Sequence, residues 1–72
     1  MDPQRAISEA ILKIHTMIDD LHKCNEKQVQ VGFNYIILTL NFADQYNLDD
    51  KHIMLLYSDY VEKTNQLLKK DN

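Results

Sequence analysis

The residues of this chain best suited to chemistry are His15, Asp19, His22 and Glu26, spaced by four, three and four positions. On a helix that spacing lines them along one edge, and imidazole and carboxylate are both ligands for zinc and similar ions. One helix edge, however, brings at most two or three ligands together, short of a closed set. His15 and Asp19 also form an ordinary i,i+4 helix pair. Both histidines border an apolar stripe, over which a ring can lie with its polar tip in water. The surface-pair account is the better one, and neither metal nor cofactor is expected.

Other reactive side chains fare no better. Cys24 is the single cysteine, and a nucleophile needs a base and an orienting group around it. His22, two residues away, points to a different side of a helix. Cys24 falls in register with Ala10 and Met17 at the edge of the stripe, which suits a small buried hydrophobe. In the doublets Asp19-Asp20 and Asp49-Asp50 adjacent side chains diverge by about 100°, so neither makes a shared-proton dyad. Gly32 is the only glycine, which removes a phosphate-cradling loop. Arg5 is the only arginine, which disfavours a multi-arginine clamp on a dianionic substrate. An enzyme is not expected, and a metal-dependent one is the weakest alternative.

These residues must be positioned by a small scaffold. The chain has 72 residues, 44% hydrophobic and 26% charged, which allows one domain spanning residues 1–72 and is too apolar for a disordered tail. A domain this size has a thin core and commonly leans on a disulfide, a metal or a partner subunit. One cysteine forms no intrachain disulfide. The net charge of −3 gives no basic footprint for nucleic acid, and is far too small for an acidic mimic of a duplex. A transcription-associated or DNA-binding helical module is the alternative class, although residues 49–70 lack an evenly basic recognition face. Residues 1–5 lack the basic region and apolar run of a signal peptide. The longest apolar run, Tyr35-Ile36-Ile37-Leu38, is far short of a membrane span. A cytoplasmic protein without membrane contact is the expectation.

Periodicity predicts three helices. Asp2-Pro3 reads as a helix start, a capping carboxylate followed by a ring with helical φ. Ile7, Ile11, Ile14, Ile18 and Leu21 then step along one face, predicting helix 1 over about 3–24. Residues 28–46 are ambiguous, because Val29 to Tyr35 alternates like a strand while Val29, Phe33, Ile36, Leu40 and Ala43 keep helical spacing. The length of the run and its lack of a hairpin turn favour helix 2. Gly32 inside it predicts that Gly32→Ala stabilises by up to about 1 kcal/mol, provided a methyl group fits. Asp49 caps helix 3, over about 49–70, with Ile53, Leu56, Tyr57, Tyr60, Val61, Thr64, Leu67 and Leu68 on its apolar stripe. Short connections make this an all-α, up-down-up three-helix unit.

Helix 2 carries the functional signal. Beside its core face it has a second apolar face of Val31, Tyr35, Leu38, Phe42 and Tyr46, an aromatic-rich composition typical of interface cores. Helices 1 and 3 cover two sides, and the apolar arc is wider than two neighbours need. The reading is a small regulator, adaptor, inhibitor or chaperone that binds another protein and dimerises into a helical bundle. Leu12 and Leu55, alone on polar faces, need no such account.

Overall fold

The structure is a computed structural model that describes residues 2–70, with the Lys70 side chain excepted. It consists of α1 (Pro3–Asp19), a short 3₁₀ turn (Leu21–Lys23), α2 (Glu26–Gln45) and α3 (Lys51–Lys70), with no strand among the described residues. Side-chain neighbours give the topology. Met17 approaches Gly32, Phe33 packs on Tyr57 and Tyr60, and His15 meets His52. α2 therefore runs against α1 and α3, as the short connections dictate.

Each boundary has a local cause. Asp2 Oδ1 accepts the Gln4 N–H at 3.0 Å, and Pro3 opens the helix. α1 stops at Asp19 rather than continuing to residue 24. Two adjacent carboxylates at a helix C-terminus oppose the dipole, and the chain tightens into the 3₁₀ turn, with Lys23 N–H on Asp20 O at 2.9 Å. α2 starts at Glu26, two residues earlier than its apolar periodicity implies. Asn25 and Gln28 form a reciprocal capping box, Asn25 Oδ1 accepting the Gln28 N–H at 2.9 Å and Gln28 Oε1 the Asn25 N–H at 2.8 Å. At its other end Asn47 takes a left-handed φ of 55°. Leu48 N–H reaches Ala43 O at 2.9 Å and Asn47 N–H reaches Asp44 O at 3.2 Å, which is a Schellman stop with Asn in the place glycine usually fills. α3 begins at Lys51 rather than 49, with Asp49 Oδ1 accepting the Lys51 N–H at 3.0 Å.

The alternating stretch Val29 to Tyr35 is helical throughout. Its alternation arises because α2 is apolar on two sides. The core comprises Ile7, Ile14, Ile18, Leu21, Ile36, Ala43, Ile53, Leu56 and Tyr60, with Ile14, Ile36 and Ile53 fully buried. Ile11, Met17, Phe33 and Leu40 pack around it half-buried. Ion pairs contribute little. Arg5–Glu9, Lys23–Asp20 and Lys63–Asp59 are exposed or half-exposed pairs, none between α-helices.

One contact sets the approach of α2 to α3. The Tyr60 hydroxyl donates to Val29 O at 2.9 Å, the one side-chain hydrogen bond between helices among the described residues. The ring lies edge-to-face on Phe33 at 4.7 Å. To reach Val29 it passes over Gly32, where a Cβ would lie 2.8 Å from Tyr60 Cζ and closer still to the hydroxyl. The condition on the Gly32→Ala gain, that a methyl group fits, is therefore not met. Gly32 has ordinary helical backbone, with no positive φ, and it is needed for space.

Candidate functional site

The sequence-predicted face of α2 becomes one wall of a groove against α1. Ala6 and Ala10 on α1 are small, so the helices leave open space of about 470 Å³ bordered on the α2 side by Val31, Tyr35, Leu38 and Phe42. Val31 and Leu38 project into solvent at 61% and 67% exposure, whereas Tyr35 and Phe42 are half-buried. Tyr46 lies beyond the groove and packs on Phe42, ring centroids 4.8 Å apart. Four of the five predicted surface residues therefore share one concavity, and the fifth buttresses its end. Thr39 is buried in the lining, its hydroxyl satisfied by Tyr35 O at 2.8 Å.

Towards the other end of α1 a second opening of about 460 Å³ shares Val31 and Tyr35 with the first. It is bordered further by Lys13, Met17, Cys24 and Gly32. Lys13 Nζ stands 4.8 Å from the Tyr35 ring centroid, a cation–π contact that holds the ring at the junction. The groove is apolar with a neutral amide, Asn34, on its border. Its other polar side chains are Tyr35 and Thr39, and the predominantly apolar lining suits apolar side chains of a partner.

The metal-like edge is not assembled. Glu26 opens α2 while Asp19 closes α1, so the helix that was to align the four residues ends within their span. His15 instead lies edge-to-face on His52 of α3, centroids 5.6 Å apart. His22, in the 3₁₀ turn, borders a different opening together with Asp19, Lys63 and Leu67, apart from His15 and Glu26. No cluster of three or more His, Cys, Asp or Glu placed to hold a metal ion occurs among the described residues.

Cys24 is half-buried in the connection to α2, its thiol 3.5 Å from Asp20 O. Burial, with a smaller contribution from Cys24, pushes the Tyr60 phenol above its ordinary value. Asp44, at the end of α2, neighbours Asp50, just ahead of α3. Hydrogen bonding to Asp50, then its like charge, then slight burial raise the Asp44 carboxyl.

Sequence reasoning missed the α1 wall. Ala10 was placed beside the isoleucine stripe, but Ala6, one turn earlier, marks the same side. Two small residues at i,i+4 were the available signal for a depression. No helix of the described residues is long and apolar enough to cross a membrane. Comparison with protein-family models, curated proteins and solved structures finds no match to this chain.

Proposed function

We propose that this chain is a small non-enzymatic interaction module that binds protein through the apolar groove between α1 and α2. In this reading it serves as a regulator, adaptor, inhibitor or chaperone, and dimerises into a helical bundle as part of that role. A cytoplasmic setting, in which Cys24 stays reduced, suits it. The observation that carries the reading is the exposure of Val31 and Leu38, which take no part in the core, on a concave surface beside half-buried Tyr35 and Phe42. Exposed apolar surface costs about 25 cal/mol per Å² relative to burial. A contiguous patch with aromatics is the composition that interface cores favour.

Affinity capture tests it, using the tagged chain as bait in a lysate of its source and Leu38→Lys as matched control. Leu38 is 67% exposed, so the variant keeps its fold while a charge enters the groove. A defined partner retained by the parent and lost from Leu38→Lys supports the reading. Identical captured proteins with both baits overturn it.

A further inference from the structure

We propose that the occupant of the α1–α2 groove is a second copy of this chain, its α2 lying antiparallel to the first about a two-fold axis between Ile36 and Ile37. The inference rests on the interaction reading above and names the partner. Its first support is charge. Between Lys27 and Asp44 no residue of α2 is charged, although a quarter of the chain is, and half of that helix surface faces solvent. Such a face offers nothing to a charged ligand. Apart from Lys13 of α1, held over the Tyr35 ring, the face carries no charge, so it meets its own copy with little of the like-charge penalty that self-association of a charged face incurs.

The second support is register. Val31, Tyr35, Leu38 and Phe42 are spaced by four, three and four, the repeat of a knobs-into-holes seam. Reversed upon itself, this seam places Val31 against Phe42 of the copy and Tyr35 against Leu38 of the copy, then repeats both layers by symmetry. Each layer sets a large side chain against a smaller one, so the seam is complementary to itself. Gln28 and Gln45 of the copy close the ends as neutral amides. On α1, Ala6 and Ala10 leave room for the incoming helix.

The third consideration is size. A specific interface needs at least about 1,000 Å² in total, or about 500 Å² per chain, and stable ones bury about 1,200–2,000 Å². The minimum per chain is near a tenth of the 5462 Å² that this chain exposes. An 18-residue stretch of helix is about 27 Å long and about 10–12 Å across, a footprint of about 300 Å² on the facing α2, so contact with α1 on both sides of the axis must supply the rest.

Sedimentation equilibrium with a paired charge design tests both the occupant and the register. The parent should rise from 8.5 kDa towards twice that mass within the micromolar range. Leu38→Lys and Tyr35→Glu should each stay at 8.5 kDa alone, with the helical circular dichroism of the parent. Lys13, already over the Tyr35 ring, can pair with the introduced carboxylate. An equimolar mixture should return to double mass, because the new lysine of one chain faces the new glutamate of the other. A parent that stays monomeric into the millimolar range overturns the proposal, as does a mixture of folded variants that stays monomeric. If Tyr35→Glu fails to fold, the parent mass and its loss in Leu38→Lys decide alone. A monomeric parent that still captures a Leu38-dependent partner refutes self-pairing, and with it the dimerisation proposed above, and leaves the binding of another protein through the groove standing.

Discussion

Substitution of Gly32 by alanine separates local helix propensity from tertiary packing in a single measurement. In an exposed helix interior the change stabilises by about 1 kcal/mol. Here the new methyl group would collide with the Tyr60 hydroxyl and lie 2.8 Å from Cζ and 3.2 Å from Met17 Cε. Tyr60 has little freedom to yield. It is 1% exposed, wedged against Phe33, and hydrogen-bonded to Val29 O. Overpacking of this kind costs about 1–3 kcal/mol, and displacing the hydroxyl forfeits a hydrogen bond worth about 1 kcal/mol. Against the propensity gain, the net is a loss of about 2 kcal/mol, or a fall in Tm of roughly 10 °C for a domain of this size. Urea unfolding followed by circular dichroism measures it. Tyr60→Phe removes the atom nearest the new methyl group, so in that background the cost of Gly32→Ala should shrink by about 1 kcal/mol. An unchanged or raised midpoint for Gly32→Ala, or strict additivity with Tyr60→Phe, refutes the seating of Tyr60 over Gly32.

Four further outcomes are expected. Ile14→Ala should lose about 2–5 kcal/mol in urea unfolding, because Ile14 is fully buried at the centre of the isoleucine stripe. Asn25→Ala breaks the capping box at the start of α2 and should lose about 0.5–2 kcal/mol in the same assay. Asp44→Asn should raise Tm at neutral pH and give no gain in acid. The native state holds the Asp44 proton more tightly than the unfolded chain does, so its pairing with Asp50 stabilises at low pH and is lost as pH rises through the raised value. Tyr60 has the same sign at the alkaline end: stability should be complete below the unfolded phenol value of about 10 and fall as pH rises through the higher folded value, with Tyr60→Phe flattening that fall in a Tm-versus-pH series.

The elements were legible because their signals are local and periodic. The isoleucine stripe of α1 and the Asp2-Pro3 start each depend on residues within a few turns. The boundaries read less well where polar side chains set them. Asn25 and Gln28 begin α2 two residues before its apolar pattern, and the adjacent Asp19 and Asp20 end α1 before the pattern does. The space at Gly32 was left open for a different reason. The propensity of the residue is visible in sequence, but the ring above it comes from Tyr60, 28 positions away, and no local rule connects them. The groove was half legible. The second apolar face of α2 showed in the spacing, whereas its depth depends on α1 presenting Ala6 and Ala10 across from it. The His15–His52 pair was hidden in the same way, since each member lies on a helix whose own pattern says nothing of the other.

The same geometry explains why the groove can be specialised without weakening the fold. Gly32, Tyr60 and Met17 bring α2, α3 and α1 together at one level, and with no side chain at position 32 the Tyr60 ring fills the interior there. Ile36 and Ala43 continue the same inner face, fully buried. Val31 and Leu38 lie on the opposite side of α2 and belong to none of this packing. Their apolar character therefore contributes little to the monomer, where a polar residue at either site would change stability by no more than about 0.5 kcal/mol. Val31 and Leu38 thus stand clear of the core, on the outer rim of the groove, and answer to different demands. The inner face is constrained by volume, down to a single methyl group at Gly32. The outer face is free of that constraint, so substitutions at Val31 and Leu38 should leave Tm nearly unchanged.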